Sequence, residues 1–278
     1  MNLITNNYEL MDLIPNSINP AKGETTLFDK IAVFIARAEE WARDTFTSHE
    51  IFDHIAECRI DDPVRVTLCR LVAFEALRDS IPSLDLVFTP NGFAITQTSN
   101  LTPASKQRVD RLVSSMVSLR DDCIARLLTL LVTVSPWLES PQALFFGSTL
   151  FPTLSVVDQV GPVAGSKWDK YLELRPQMID LEASIAEGFI SPELLDALRS
   201  RILGNALTSA DRPLVTRLQA QIVAALRGAP VDPRRMADCV NYIRQRPEDF
   251  PEWHNSSTAE LFTPPVFKNK KDSPGYFF

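Results

Sequence analysis

The chain has little of what most functional assignments from sequence rest on. Histidine occurs three times in 278 residues, and basic residues (28) are outnumbered by acidic ones (35), for a net charge of −7. That balance favours solubility and disfavours nucleic-acid binding by the chain as a whole. The four cysteines, Cys58, Cys69, Cys123 and Cys239, are far apart and form no C-x-x-C pair, which predicts buried thiols in a reducing compartment rather than disulfides. The opening "MNLITNNYELMDLIPN" lacks a basic segment and carries acids where a signal peptide needs an uninterrupted apolar core, so no export signal is read there. Long apolar runs are missing too. The longest, "IARLLTLLVTVSPWL", contains Arg126 and Pro136 and falls short of the roughly 20 residues a bilayer span needs. It reads as a core helix.

What is present is helical periodicity. Thr26-Leu-Phe-Asp29 is a capping-box start, followed by apolar Leu27, Ile31, Phe34, Ala38 and Trp41, which predicts an amphipathic helix to about Phe46. Ser48 caps a short helix through Cys58, and Asp62-Pro63 places a cap and a first-turn proline before a helix running towards Ile81. Thr102-Pro103 opens the longest helix, with Val109, Leu112, Met116, Leu119, Cys123, Leu127, Leu130 and Val134 on one stripe. Residues 139–165 are rich in Pro, Gly and Ser and read as a connection with a short helical piece near Leu144. A last helix starts at Asp232-Pro233 and ends near Pro247, leaving 248–278 as a tail without helical period.

The opening pattern returns after the connection. Ser166-Lys-Trp-Asp169-Lys170 matches Thr26-Leu-Phe-Asp29-Lys30 in residue type, and Phe189-Ile-Ser191-Pro-Glu193 echoes Phe46-Thr-Ser48-His-Glu50. Asp211-Arg-Pro-Leu214 with Leu218 answers Asp62-Pro-Val64 with Leu68 at an offset of about 150 residues, so a duplicated helical unit is favoured over two unrelated hairpins sharing caps. The expected organisation is an N-terminal unit over 1–138, the connection, a C-terminal unit over 166–247 that is a degenerate repeat of the first, and the tail. A chain of this length can bury ample core without metal or disulfide.

Candidate chemistry is thin. His49, His54 and Cys58 fall on one short helix, but His49 lies off the face shared by the other two and further ligands are missing, so no metal is expected. "GPVAGSK" at Gly161 to Lys167 has three residues between its glycines where a phosphate loop needs four, and places Ser before Lys. Glu39-Glu40 and Asp121-Asp122 are neighbours on helices, where adjacent side chains point about 100° apart, and read as solvated faces. His254 stands alone, with no nucleophile context such as G-x-S-x-G, and the basic run Lys268 to Lys271 reads as a solvated tail. No catalytic residue, cofactor site or metal site is predicted.

The segment Leu84 to Ser99, "LDLVFTPNGFAITQTS", reads differently. Asn91-Gly92 is a type I′ turn signal that predicts a β-hairpin over 84–99 pairing Phe88 with Ile95 and Leu86 with Gln97, with Pro90 and Phe93 flanking the turn. A lone hairpin is marginal in water. It can lie on its own helices, accept a strand such as the terminal "GYFF", or dock on a neighbouring subunit. Candidate interface residues are therefore Leu86, Phe88, Pro90, Asn91, Gly92, Phe93 and Ile95, with the tail aromatics Phe267, Tyr276, Phe277 and Phe278.

The stretch "LDLVFTPNGFAITQTSNLTPASKQRVDRL", Leu84 to Leu112, resembles the signature of a family of uncharacterised proteins from phages and prophage-like elements of anaerobic gut bacteria. There L-x-L-x-x-T-x-x-G-F-x-[IV] precedes A-P-A-S-K-x-R-V, where this chain has Thr102-Pro103-Ala104-Ser105-Lys106-Gln107-Arg108-Val109. The opening "LIPNSI" and the ending "DSPGYFF" are similar to that family as well. The resemblance implies no catalytic residue. It implies a virion structural role, a head-to-tail connector or neck (adaptor) ring subunit whose partners are portal, neck or tail proteins and copies of itself, located in the virion and, during assembly, in the bacterial host cytoplasm. No membrane and no sequence-specific nucleic acid are expected as partners. The alternative, from another class, is a cytoplasmic helical module that captures a phage or host protein. The expected fold is mainly α: two related helical-bundle units with one protruding β-hairpin and an extended C-terminal tail.

Overall fold

The computed structural model describes residues 2–14, 25–84, 86–89, 92–95 and 105–263. Its helices share one hydrophobic core. After buried Leu3 and Ile4 comes α1 (Asn7–Leu13), then α2 (Leu27–Ala42), capped by the Thr26–Asp29 box. A π-helical turn over Arg43–Thr47 ends at Ser48, which has φ 86° and donates its N–H to the Arg43 carbonyl at 2.9 Å. Its Oγ in turn accepts from the Ile51 N–H at the start of α3 (His49–Glu57). Positive φ is uncommon for a residue with a Cβ; here the two hydrogen bonds hold the sharp change of direction. Helix α4 (Pro63–Ser80), capped by Asp62, packs against α1, α2 and α3 and against α5 (Lys106–Leu131). Trp137 follows, in a short 3-10 turn, and Ser140 caps α6 (Pro141–Gly147).

The second half repeats this order. Buried Leu150 and Phe151 lead into α7 (Ser155–Val160), then α8 (Lys167–Ile185), a π-helical turn over Ala186–Ile190, and Ser191 with φ 67°. Ser191 donates its N–H to the Ala186 carbonyl at 2.9 Å and caps α9 (Pro192–Leu203) through Leu194. Next come α10 (Asp211–Leu226), α11 (Pro233–Arg244), α12 (Pro251–His254) and α13 (Ser257–Glu260). Individual bonds repeat as well. Buried Glu39 on α2 accepts from the N–H groups of Leu3 (2.7 Å) and Ile4 (3.3 Å), and buried Glu182 on α8 accepts from that of Leu150 (2.9 Å). Trp137 donates its indole N–H to the Phe46 carbonyl at 2.7 Å, and Trp253 to the Phe189 carbonyl at 2.8 Å. Ser140 bonds the Trp137 carbonyl and caps Ala143; Ser256 bonds the Trp253 carbonyl and caps Ala259. Asp122-Cys123 on α5 and Asp238-Cys239 on α11 precede the two tryptophans at equal distance.

The duplication differs in detail from the sequence reading. The buried positions of α2 (Ile31, Ile35, Glu39, Ala42) fall in register with Leu174, Met178, Glu182 and Ile185 of α8, so α8 begins nearly a turn earlier and Ser166 is not the spatial counterpart of Thr26. Asp62 accepts from Val64 and Arg65 as a helix cap, whereas Asp211 is the first residue of α10, fully buried and paired with Arg201 at 3.0 Å. The longest helix among the described residues is Lys106–Leu131, and the expected start at Thr102-Pro103 lies outside the described residues. Residues 248–263 carry α12, α13 and the buried Trp253, so this part of the expected tail belongs to the helical body.

The expected fold class needs a larger correction. The mainly helical class fits, but a protruding β-hairpin is not part of the described architecture, whose layers are helical. The described strand pairing is local: β1 (Leu86–Thr89) pairs antiparallel with β2 (Gly92–Ile95). The register is not the expected one. Leu86 pairs with Ile95 and Phe88 with Phe93, and Gly92 is the first residue of β2 instead of a turn residue. Thr89 pairs with Gly92, and Pro90 and Asn91 lie outside the described residues.

Candidate functional site

The most elaborate side-chain arrangement joins the two units. Arg120 on α5 is 1% exposed. Its Nη1 donates to Oε2 of Glu75 on α4 at 3.1 Å, and its Nε and Nη2 donate to Asp121 Oδ1 at 3.1 and 2.8 Å. Nη2 also donates to Ser166 Oγ at 2.5 Å, while Asp121 Oδ2 accepts from the Lys167 N–H at 2.5 Å. Both bonds reach the first turn of α8, so the N-terminus of the second unit's long helix is held by an ion cluster of the first. Burial works against the Arg120 charge, and the bonds to Asp121 and Glu75 outweigh it, raising its pKa. Burial pushes the Glu75 carboxyl up against the pull of Arg78 and Arg120.

An apolar contact flanks this clasp. Phe46 and Phe146 of the first unit stack at 6.0 Å between centroids, and Trp168 of α8 lies 5.3 Å from Phe46 and 6.2 Å from Phe146. Tyr171 lies 6.5 Å from Phe146 and donates its hydroxyl to the Phe151 carbonyl; burial pushes its pKa up to about 12. Arg175 of α8 sits 3.7 Å over the Phe145 ring and donates to the Phe145 carbonyl at 3.0 Å. Gly147 comes so close to Leu203 that an added Cβ would meet its Cδ2 at 2.8 Å. These contacts fix one unit on the other.

Two carboxylate pairs expected to be solvated are split by the helix. Glu39 and Asp121 are buried while Glu40 and Asp122 are exposed, because side chains about 100° apart point one inward and one outward. The phosphate-loop look-alike borders a cavity of about 410 Å³ lined by Asp121, Asp122, Asp158 and Lys167. Lys167 is paired with Asp158 at 2.7 Å, so an anion there would face carboxylates rather than a cradle of donors. His49 and His54 line an open groove with Glu50 and Glu139, and the Cys58 thiol is directed to the His54 carbonyl. Among the described residues no group of three or more His, Cys, Asp or Glu is placed to hold a metal ion. All four cysteines are free, and burial pushes the thiols of Cys69 and Cys123 up to about 11, which keeps them protonated at neutral pH.

Of the expected interface residues, Pro90, Asn91, Phe267, Tyr276, Phe277 and Phe278 lie outside the described residues. Leu86, Phe88, Gly92, Phe93 and Ile95 are placed by backbone alone, in β1 and β2. Of the junction residues, Arg120 and Tyr171 were not singled out by sequence reasoning, Asp121 was read as half of a solvated pair, and Trp168 only as part of the recurring opening pattern.

The buried glutamates give a pH dependence of definite sign. Burial raises the carboxyls of Glu39, Glu75 and Glu182 above their ordinary value of 4.5, although backbone N–H groups and arginines oppose it. From about pH 4.5 up through each raised pKa the native state therefore holds more protons than the unfolded chain, and stability falls as pH rises. The urea midpoint should be higher near pH 5.5 than near pH 7.5. Glu182→Gln, which keeps an acceptor for the Leu150 N–H, should flatten that slope; an equally steep slope in the variant would rule Glu182 out as a source.

Among the described residues no helix is long and apolar enough to cross a membrane. No curated protein and no solved structure matches the chain. Residues 17–144 match the model of a family of unknown function (DUF6712), a stretch that begins upstream of α2, ends inside α6 and so covers the helices from α2 onward of the first unit while stopping short of the second.

Proposed function

We propose that this chain is a structural virion protein, a head-to-tail connector (neck or adaptor) subunit that links portal to tail, without catalysis. The observation that carries the reading is the unequal duplication. Two copies of one helical unit are locked together through buried aromatic and ionic contacts. Yet their α4–α5 and α10–α11 connections differ, running from Ile81 to Ser105 in one and only from Arg227 to Asp232 in the other. A body that joins two different neighbours needs two related but non-identical ends, and insertions in one repeat are where such partner-specific contacts are built. The sequence resemblance to phage-encoded proteins points the same way. On this reading the partners are portal, neck or tail proteins and further copies of the chain, in the virion and in the host cytoplasm during assembly.

Cryo-electron microscopy of particles, together with co-purification with portal protein, tests it. The expected result is density for this helical body at the neck. Particles complete at the neck without this chain would end the proposal and favour a helical module that captures a phage or host protein. For that second reading the groove between α10 and α11 is the relevant feature, where Arg217 and Arg246 lie 5.0 and 3.9 Å from the Tyr242 ring centroid.

A further inference from the structure

The contact between the two units is heterologous. One face of the first unit, Phe145, Phe146 and Gly147 at the end of α6, meets a different face of the second, Tyr171, Arg175 and Leu203 on α8 and α9. Because the units repeat one another, each also carries the face its counterpart uses. Counting from the capping serines, Leu261, Phe262 and Thr263 follow Ser256 as Phe145, Phe146 and Gly147 follow Ser140. Counting from the buried glutamates, Phe28 precedes Glu39 as Tyr171 precedes Glu182; and Ile60 follows Ser48 as Leu203 follows Ser191. Phe146 and Tyr171 are fully buried at the junction, whereas their counterparts Phe262 and Phe28 are only partly buried, and Leu261 and Ile60, the counterparts of the half-buried Phe145 and Leu203, are 71% and 81% exposed.

We propose that a second copy of this chain docks there: the Leu261–Phe262 face of one copy packs on the Phe28–Ile60 face of the next, repeating the internal contact between molecules. Contacts between unlike faces close into rings when the rotation permits and otherwise run on as filaments. The contact between copies is weaker than the internal one, because the positions of Arg120 and Asp121 are taken in the second unit by Met236 and Ala237, and the ion clasp has no counterpart. A charge of −7 per chain opposes it further, so association should grow with protein concentration and with salt. The inference rests on the connector reading for the self-assembly it deepens, while its two faces come from the duplication alone.

Cysteine crosslinking of the full chain tests it, in a Cys58→Ser background. Ile60→Cys chains mixed with Thr263→Cys chains under a thiol oxidant should give a disulfide-linked dimer, and the chain carrying both substitutions should give a ladder of multimers. Mixed crosslinking no faster than that of either variant alone would overturn the proposal. In sedimentation experiments Leu261→Asp should raise the dissociation constant about tenfold or more with an unchanged far-UV spectrum; unaltered association would also overturn it. A ladder from a chain missing at particle necks would end the connector reading and leave this contact standing. A chain found at the neck that gives no mixed crosslink would do the reverse.

Discussion

Arg120→Met is expected to lower the free energy of unfolding by about 3–5 kcal/mol, the range for removing one partner of a buried ion pair. The guanidinium is shared among Glu75, Asp121 and Ser166. Without it two carboxylates remain in the interior, one still tied to Arg78 and the other only to the Lys167 N–H. The second unit shows how the same place is filled without charge, since Met236 and Ala237 occupy it. Arg120→Met with Asp121→Ala reproduces that pair and should cost about 1–3 kcal/mol less than the two single effects added together, because the stranded Asp121 charge is gone. Glu75 keeps the double variant below the native chain. Urea unfolding followed by far-UV circular dichroism measures all three. A loss below about 1 kcal/mol for Arg120→Met would mean that the cluster is solvated and behaves like a surface pair.

The fold was legible in the sequence where caps and apolar spacing coincide. Thr26 with Asp29, Ser48, Asp62 with Pro63, and Ser191 each start a helix where the spacing puts it. The junction was not, because its polar members disguise themselves. Asp121-Asp122 and Glu39-Glu40 read as surface charge, and only the helical phase of the surrounding residues shows that the first of each pair turns inward. A signal for the duplication was available and stronger than the one found at the caps. Asp122-Cys123 before Trp137, Ser140 and Ala143 recurs as Asp238-Cys239 before Trp253, Ser256 and Ala259 with identical spacing. It escapes a helix-by-helix reading because Trp137, Ser140, Trp253 and Ser256 lie in or beside turns and helices too short to carry periodicity. The hairpin failed for another reason. Asn-Gly is the strongest local turn signal and draws the pairing onto Asn91-Gly92, whereas Gly92 lies in β2 opposite Thr89, and a shift of one position in a two-residue turn moves the register by two.

Trp137→Ala should cost about 3–5 kcal/mol from lost burial and the cavity left behind. It also strips the Phe46 carbonyl of its indole donor, adding about 1–3 kcal/mol if no other donor replaces it. That carbonyl belongs to the π-helical turn, and the Phe46 ring touches both Phe146 of its own unit and Trp168 of the other. Damage at Trp137 therefore reaches the junction, while its counterpart Trp253 touches His254 and Phe262, within the second unit. Both side chains are almost wholly buried, at 1% and 2% exposure, so the comparison isolates position rather than burial. With the core shared between the units, each substitution should shift a single urea transition to lower concentration without changing its slope. Trp137→Phe, which keeps most of the volume and loses the N–H, should cost about 1–2 kcal/mol. Should Trp137→Ala split unfolding into two separate transitions while Trp253→Ala does not, the aromatic cluster at Phe46 and Trp168 is what couples the units. Two transitions in the unsubstituted chain would instead show that the units fold independently and that the junction is only a docking contact.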